Sequence, residues 1–415
     1  METKDYWFAL KSTVYVEFKQ NKMLLYDTHT GNHIETVFDK AIALISQMYE
    51  PKNLGVTLLS KDFQKDIDVQ NFVKEVLGRQ MGDLLEIEKV PVKPVRLIPI
   101  LNLQRDIDKL KDKQGIETFI GKDIINYLLE VNIYLNDRCD KTCFQCKKYC
   151  TQMRCCTANN TSKELSVAEL ENIFRQIRYS PAGRINILGG NILKYGSINK
   201  LQDALLSFDN IFKDVLHYYI HYENYERNEL IESSKLELIV NFPINTLFFN
   251  KIWSTIDKEN TTVHFIIENE KQYFEAEDFN EKTDIEKYTV IPFYTGKNLD
   301  FFKNKLFIDK EDIFSEMLPI RKIFRNQKLN SNFFGTLYVL PGGTVKASMN
   351  TETIGNINSN TILELLYKEL LENTAWRKVR NSEPCDRCLY QFLCPSPSDY
   401  EKATGRINLC NIITE

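Results

Sequence analysis

The sequence predicts an α/β fold in which a parallel sheet and its helices form an open or partial barrel. Six segments from residue 130 onward are near-continuous apolar runs rich in β-branched or aromatic residues, which is typical of parallel strands buried on both faces. These segments are 130–137, 184–190, 215–223, 236–242, 261–270 and 288–294. Helical or loop segments separate them, as β–α units require. Because a closed barrel of this type has eight units, six units predict an unclosed one with its ligand site at the C-terminal ends of the strands.

The first ~88 residues predict a separate small module, since a chain of 415 residues exceeds one ordinary domain. Segments 14–19 and 23–27 have the pattern of two strands joined by a short polar turn. Asp39 is suited to cap a following helix. A second helix should carry an apolar face between Val69 and Leu77. Three prolines between Pro91 and Pro99 then predict a stiff linker.

Charge and hydropathy limit the classes of partner. The net charge of −4 argues against a nucleic-acid partner, because neutralising phosphates requires clustered Lys and Arg. Apolar runs stay below the ~18 residues that would span a bilayer. The first residues, METKDYWFALKST, lack the basic segment and continuous apolar core of a signal peptide. We therefore expect a soluble, cytoplasmic protein with no nucleic-acid and no membrane partner.

The ten cysteines fall into two tight clusters. Six lie between Cys139 and Cys156, and four lie between Cys385 and Cys410. Disulfide scaffolds distribute cysteines over small secreted chains, and a reducing cytosol does not maintain such bridges. Two clusters in a long chain of this kind indicate metal binding.

The first cluster contains three cysteines with a distinctive spacing. The first predicted strand of the barrel runs directly into Cys139-Asp-Lys-Thr-Cys143-Phe-Gln-Cys146. Three thiolates converging from one short loop can ligate three irons of a cubane cluster and leave the fourth iron open for a cofactor or substrate. A structural zinc knuckle is the alternative, although structural zinc favours a fourth protein ligand. The nearby Cys150, Cys155 and Cys156 receive no assignment, because they suit a further ligand, a redox thiol or buried packing equally well.

This spacing at the end of a first strand resembles the radical S-adenosylmethionine superfamily. The resemblance implies a 4Fe–4S cluster whose open iron chelates S-adenosylmethionine, which is cleaved to a radical that abstracts a substrate hydrogen. Gly189-Gly190-Asn191, after the second predicted strand, corresponds to the family's Gly-Gly-Glu and would contact the methionine end of the cofactor. Asn191 replaces the family's carboxylate, and Gln145 stands where an aromatic residue is usual.

The C-terminal cysteines form a second motif, Cys385-x2-Cys388-x5-Cys394 followed by Cys410. With the hairpin predicted around Pro341-Gly342-Gly343, this resembles the SPASM extension of peptide-modifying radical enzymes, which holds two auxiliary 4Fe–4S clusters. Ser348 and Ser398 stand where two family cysteines would be. The resemblance therefore implies one auxiliary 4Fe–4S cluster on the four remaining cysteines. Tetrahedral zinc on the same four thiols is the alternative.

Four segments, DYWFALKSTVYVEF, VRLIPILNLQ, INILGGN and CPSPSDYE, resemble the pseudo-radical-SAM/SPASM proteins of Bacteroidales GG-type peptide-maturation systems. The similarity implies a partial (β/α)6 radical-SAM barrel with an N-terminal winged-helix-like module and a reduced SPASM-like segment. The regions are a RiPP-recognition-element-like module (1–90), a linker (91–128), the barrel (129–300), a connector with the hairpin (301–383) and an auxiliary-cluster segment (384–415). The recognition module would bind a leader peptide as a strand added to an exposed sheet edge.

The resemblance implies an enzyme that modifies a ribosomally made precursor peptide by radical C–H abstraction. Its further partners would be an electron donor such as flavodoxin or ferredoxin and a partner radical SAM maturase. The main alternative is a catalytically degenerate scaffold that presents the peptide to such a partner, and a zinc-binding interaction protein is a third hypothesis. His217, His221 and His264 lie on predicted strands, where core or barrel-lining roles are more common than ligation.

Overall fold

The structure, a computed structural model, describes residues 4–98, 103–111, 119–139, 144–157, 162–232 and 234–412. Cys143 lies outside these residues. The strands are β1 (Tyr6–Leu10), β2 (Val14–Lys19), β3 (Lys22–Asp27), β4 (His33–Thr36), β5 (Val56–Leu59), β6 (Gly82–Glu86), β7 (Glu130–Tyr134), β8 (Arg184–Leu188), β9 (Leu216–His221), β10 (Lys235–Asn241), β11 (Thr261–Ile267), β12 (Tyr288–Pro292), β13 (Thr336–Val339), β14 (Thr344–Lys346) and β15 (Thr353–Asn356). The helices are α1 (Asp39–Met48), α2 (Lys61–Gln64), α3 (Ile67–Gly78), α4 (Leu103–Lys109), α5 (Phe119–Lys122), α6 (Phe144–Lys148), α7 (Val167–Ile177), α8 (Ile198–Leu206), α9 (Asp209–Phe212), α10 (Glu229–Glu232), α11 (Thr246–Trp253), α12 (Glu270–Thr283), α13 (Leu299–Leu306), α14 (Lys310–Ser315), α15 (Ile320–Lys328), α16 (Ile362–Glu372) and α17 (Asp399–Thr404).

The central sheet confirms the predicted mixed α/β class with a mainly parallel sheet. Its strand order in the described residues is β12-β11-β10-β9-β8-β7-β13-β14-β15. Strands β7 to β12 pair in parallel and in sequence order, with helices in the connections. Each coincides with one of the six predicted strands and ends two or three residues earlier than predicted in most cases. The sheet does not close on itself within the described residues, because β12 lies at its edge.

Alternation along these strands separates two faces of the central sheet. The outer face carries apolar side chains such as Val131, Ile133 and Ile187, which are fully buried against the helices. The inner face carries an apolar upper layer, which includes Tyr134 and Ile239. Near the strand starts, the inner face is polar instead. Helices therefore cover one face, while the other face is left to form a site.

The predicted hairpin is present and extends the central sheet. Strands β13 and β14 are antiparallel and joined at Gly342 and Gly343, both of which have φ of +83°. Two successive residues with positive φ favour glycine at both positions. Strand β13 pairs in parallel with β7, so the hairpin continues the sheet beyond the first barrel strand.

The N-terminal module contains two three-stranded antiparallel sheets in the described residues. Their strand orders are β5-β1-β6 and β2-β3-β4. The two strands predicted at 14–19 and 23–27 are confirmed as β2 and β3. Helices α1 and α3 pack between the sheets through buried residues that include Leu44, Phe72 and Val76. The described part of the predicted linker, 91–98, forms neither helix nor strand.

The predicted capping role of Asp39 is wrong. Helix α1 begins at Asp39 itself, and Phe38 occupies the cap position without a side-chain hydrogen bond. The Asp39 carboxylate instead lies in the first turn, where a negative charge interacts favourably with the helix dipole. In α3 the cap is Asp66, whose Oδ1 accepts hydrogen bonds from the N–H groups of Asp68 (3.0 Å) and Val69 (3.2 Å).

The β2–β3–β4 sheet also packs against the C-terminal cysteine segment. Tyr15, Leu24 and Tyr26 share a buried cluster with Leu389 and Tyr390. The Leu318 N–H donates a 2.8 Å hydrogen bond to Tyr26 Oη. His33 stacks on Phe314 with ring centroids 3.7 Å apart. The module and the C-terminal segment therefore share one apolar core.

Among the described helices, none has the length and apolar character that crossing a bilayer would require.

Candidate functional site

The first cysteine motif lies beyond the C-terminal end of β7. Cys139 is half-buried in the loop that leaves this strand, and Cys146 is buried on α6. Cys146 packs in the same cluster as Tyr134, Leu188 and Tyr219 on the inner face of the sheet. Cys139 and Cys146 are therefore both near the strand ends at which a ligand site is expected in parallel sheets. Cys143, the middle residue of the motif, is not among the described residues.

The predicted cofactor-binding residues Gly189, Gly190 and Asn191 follow β8, next to this loop. Asn136, buried after β7, joins the two strand ends. Its Oδ1 accepts the Gly190 N–H at 3.1 Å, and its Nδ2 donates to the Asn191 carbonyl at 2.9 Å. The Asn191 Oδ1 accepts the Leu193 N–H at 3.0 Å and so caps its own short turn. Asn136 was not predicted from the sequence. A polar residue directly after an apolar strand can nevertheless indicate a side chain that bonds a neighbouring strand end.

Gly190 lies in direct contact with the backbone of the cysteine loop. A Cβ atom at this position would be 1.8 Å from the Arg138 carbonyl oxygen and 2.5 Å from the Cys139 nitrogen. Such distances are far inside van der Waals contact, so only glycine fits. Gly190 therefore allows the end of β8 to pack directly against the backbone at the first cysteine.

Residues 150–157, here called the post-cysteine segment, cross the inner face of the sheet. Asn350 holds Thr151 by two reciprocal hydrogen bonds of 2.8 Å, one to its N–H and one to its carbonyl. Gln152 makes the same type of pair with the backbone of Tyr294, at 2.9 Å and 2.7 Å. Two side-chain amides therefore fix the segment from the hairpin on one side and from the end of β12 on the other.

Arg154 extends from this segment to the start of β7. Its Nη2 lies 2.7 Å from Glu130 Oε1. Burial would lower the pKa of Arg154, but Glu130 and the neighbouring tyrosines together outweigh burial and raise it above the ordinary value. Arg154 therefore stays cationic on the inner face. Arg154 could not be predicted from the sequence, because its partner Glu130 is 24 residues away and no motif links the two residues.

Glu237 is the centre of a second polar cluster on the inner face. Its carboxylate accepts hydrogen bonds from His217 Nδ1 (2.6 Å), His264 Nε2 (2.6 Å) and Arg184 Nη2 (2.5 Å). Burial would raise the pKa of Glu237, but these donors outweigh burial and lower it to about 2. Since an ionised carboxylate only accepts, both ring nitrogens must carry protons. The two histidines thus line the sheet and orient a buried carboxylate.

Glu237→Gln tests this cluster. The folded-state pKa of Glu237 lies below the ordinary 4.5. The stabilising effect of the ionised carboxylate is therefore present above pH 4.5 and is lost as the pH falls towards 2. We expect the substitution to lower the unfolding free energy at pH 7 by roughly 3 kcal/mol, from the size of the pKa change. In urea unfolding between pH 7 and pH 3, the difference in unfolding free energy between Glu237→Gln and wild type should become smaller as the pH falls. Glu226→Gln, which changes an exposed carboxyl, is the control, and a gap that is independent of pH would contradict the assignment.

A cavity of about 380 Å³ lies between the inner face and the post-cysteine segment. The strands and the post-cysteine segment line it with Tyr134, Tyr219, Ile239, Ile266, Tyr338, Met153 and Arg154. Asp399 and Tyr400 at the start of α17 complete the wall. Asp399 is half-buried, and burial raises the pKa of its carboxyl. The cavity is thus lined by tyrosines and apolar side chains, with Arg154, His264 and Asp399 as its ionisable groups.

The four C-terminal cysteines are brought together. Burial raises the pKa of Cys388, Cys394 and Cys410, and in each case other thiols of the same set raise the pKa further. The pKa of Cys394 reaches about 12. Every pair among Cys385, Cys388, Cys394 and Cys410 interacts electrostatically in this way. Across the described residues, no three His, Cys, Asp or Glu side chains are arranged to hold a metal ion.

Ser348 and Ser398 have structural hydrogen bonds at the positions where the family resemblance would place cysteines. Ser348 Oγ donates to Asp399 Oδ1 at 3.4 Å. Ser398 is the N-terminal cap of α17: its Oγ accepts the Tyr400 N–H at 3.3 Å and donates to Glu401 Oε2 at 2.6 Å. Both hydroxyls therefore stabilise the cavity wall.

Comparison with known proteins gives matches among solved structures. No family model and no curated protein matches the chain. Among solved structures, it is similar to SuiB of Streptococcus suis, whose crystal structure was determined bound to S-adenosylmethionine. The two chains are 12% identical with a TM-score of 0.44, over 97% of this chain and 98% of SuiB.

Proposed function

We propose that this protein is a radical S-adenosylmethionine iron–sulfur protein that modifies a ribosomally made precursor peptide by C–H abstraction. The observation that carries the proposal is the cysteine loop that follows β7, with Gly190 packed against its backbone. Thiolates are the ligands that iron–sulfur clusters use. The open inner face beside this loop offers space for a substrate.

Cys139, Cys143 and Cys146 would hold the cofactor-binding cluster, and Gly189, Gly190 and Asn191 would line the methionine end of the cofactor. When bound, the cluster and S-adenosylmethionine would supply a carbon radical able to remove hydrogen from an unactivated C–H bond. The protein's own residues fix the positions of the strand ends and loops around this site.

In particular, Asn136 fixes the ends of β7 and β8 relative to each other. The post-cysteine segment lies across part of the inner face and forms one wall of the cavity.

The four C-terminal thiols support one auxiliary 4Fe–4S cluster. Their pairwise electrostatic interaction fits a shared ligand set. A cubane attaches its four ligands to four separate irons, so it accepts a wider spacing of thiols than a single tetrahedral ion does. Zinc on the same four thiols is the alternative, and the metal content after reconstitution distinguishes the two.

The N-terminal module is the proposed binding site for the leader part of the peptide. Strand β4 is an edge of its sheet in the described residues, and an edge strand can pair with an added strand. Val37, Phe38 and Ile67 are exposed apolar residues close to this edge. A Lys40–Asp66 ion pair of 2.5 Å joins the start of α1, next to Phe38, to the start of α3, next to Ile67. An electron donor such as flavodoxin or ferredoxin, and a partner maturase, would complete the system.

A catalytically degenerate scaffold is the second candidate function, and the hydrogen bonds at the end of β8 favour it. Asn136 already bonds the Gly190 N–H and the Asn191 carbonyl, and the Asn191 side chain caps its own turn. Polar groups proposed to receive the methionine end of the cofactor are therefore engaged within the protein. A scaffold would bind peptide and clusters without cleaving the cofactor.

Anaerobic reconstitution with iron and sulfide tests these functions. We expect ~8 iron atoms per chain, since two cubane clusters hold four each. Incubation with S-adenosylmethionine and a reductant should then release 5′-deoxyadenosine. The triple variant Cys139→Ala/Cys143→Ala/Cys146→Ala should keep ~4 iron atoms and lose cleavage. Full iron loading without cleavage would identify the scaffold, and zinc in place of iron would exclude both cluster functions.

A further inference from the structure

Two buried polar groups face the cavity on the inner face without a partner in the described residues. The Tyr134 side chain is 0% exposed, and its hydroxyl has no hydrogen-bond partner. The Nε–H of Arg154 is also buried and has none. Both residues line the cavity. Because a buried donor left unsatisfied costs about 1–3 kcal/mol, two such donors at one cavity indicate that a bound group completes them.

The two donors lie in one neighbourhood. The charge of Arg154 interacts electrostatically with Tyr134, Tyr219 and Tyr338, which come from β7, β9 and β13. Arg154 is therefore surrounded by tyrosines from three strands of the sheet. Arg154 and Tyr134 therefore line the same cavity, and each presents an unsatisfied donor there.

These donors are held in place before any ligand binds. Glu130 holds the Nη2 end of the guanidinium at 2.7 Å and leaves the Nε–H edge to the cavity. Asn350 and Gln152 fix the segment that carries Arg154. Tyr134 lies on a central strand. Donors that are already positioned lose little conformational entropy on binding, which favours a specific ligand.

The chemistry of the donors defines the ligand group. A guanidinium N–H can only donate, so the ligand must present an acceptor, and an oxygen that carries negative charge accepts most strongly. Ile239, Ile266 and Met349 supply apolar walls for an aliphatic stem. Asp399 also lines the cavity, and burial raises the pKa of its carboxyl. The cavity volume of about 380 Å³ is near the lower end of ligand pockets, which suits one side chain.

We propose that this cavity binds the side-chain carboxylate of a glutamate or aspartate of the peptide through the Arg154 Nε–H and the Tyr134 hydroxyl. The identification of the ligand as part of a peptide rests on the proposed function. Tyr134 and Arg154 would then determine which residue of the peptide is presented to the radical site.

Ligand-observed NMR titration of the full-length, iron-loaded protein tests this inference. The probes are N-acetyl-glutamate N-methylamide and its glutamine and norleucine analogues. We expect the glutamate probe to bind at least tenfold more tightly than the norleucine probe. Tyr134→Phe should weaken glutamate binding about tenfold without lowering Tm, because the hydroxyl it removes has no partner among the described residues.

Tyr218→Phe is the matched control, since it removes a hydroxyl from the opposite face of the same sheet and should leave probe affinity unchanged. Arg154→Lys keeps the charge beside Glu130 but lacks the Nε–H, so it should also weaken the glutamate probe. Equal binding of glutamate and norleucine probes, or a loss of Tm in Tyr134→Phe, would indicate that water satisfies the donors and would overturn the inference.

The same titration separates this inference from the proposed function. Probe binding needs no cofactor cleavage, so a protein that cleaves S-adenosylmethionine but ignores the glutamate probe would overturn only the inference. A protein that binds the glutamate probe but never cleaves the cofactor would overturn only the proposed enzyme. Displacement of the probe by S-adenosylhomocysteine would assign the two donors to the cofactor and would also overturn the inference.

Discussion

Replacing Gly190 with alanine is expected to remove the first iron–sulfur site. The new Cβ would lie 1.8 Å from the Arg138 carbonyl oxygen and 2.5 Å from the Cys139 nitrogen. Both obstacles are backbone atoms, so no side-chain rotation relieves the clash. The cysteine loop must therefore move away from the end of β8, which separates Cys139 from its partners. Overpacking of this kind typically costs 1–3 kcal/mol, so we expect a folded but less stable protein.

The measurement is iron per chain after anaerobic reconstitution. We expect the Gly190→Ala protein to hold ~4 iron atoms in place of ~8, with the C-terminal site intact. Gly183→Ala is the matched control, because a Cβ there has no heavy atom within 4 Å and the residue lies just before the same strand. If Gly190→Ala retains full iron and cofactor cleavage, contact between this glycine and the cysteine loop is not needed for the site.

Replacing Cys388 with alanine is expected to remove the C-terminal cluster and to loosen the N-terminal module. Cys388 interacts electrostatically with Cys385, Cys394 and Cys410, so its loss removes one of four proposed ligands. It is also buried in the cluster that includes Tyr15 and Leu24 of the module. Iron should fall to ~4 per chain while the first site persists. Loss of the cluster, together with the small cavity left in this shared core, should lower Tm.

Limited proteolysis can follow the second effect, because a module that no longer packs against the C-terminal segment should be cut more readily between residues 91 and 98. Cys155→Ala is the matched control, since it removes a half-buried thiol outside both proposed sites. An unchanged iron content in Cys388→Ala would exclude this cysteine as a ligand. Loss of zinc in place of iron would identify the C-terminal site as a zinc site.

The central sheet was predictable because its strands depend on local pattern. Apolar runs rich in β-branched residues define β7 to β12, and their order in space follows their order in the chain. The ends were less predictable, since the predicted runs continue into residues such as Asn136 that leave the ladder to bond a neighbouring strand end. Asp39 failed as a cap for a similar reason: capping depends on backbone angles at the preceding residue, which sequence alone does not specify.

The inner face could be inferred only in part. Charged residues inside apolar strands, such as Glu130 and Glu237, signal that one face is polar. Their partners come from other strands or from a distant loop, so the ion pair between Arg154 and Glu130 and the hydrogen bonds at Glu237 required the folded chain. The pairing of β13 with β7 likewise joins segments more than 200 residues apart.

The sequence by itself determined the α/β class, the six parallel strands and the two groups of thiols, because periodicity and motif spacing are local properties. Only the tertiary structure decided that Gly190 contacts the cysteine loop, that the C-terminal thiols share one neighbourhood, and that Arg154 and Tyr134 face a common cavity. These features depend on distances between segments far apart in the chain. Packing of the whole sheet determines such distances, and no short stretch of residues encodes them.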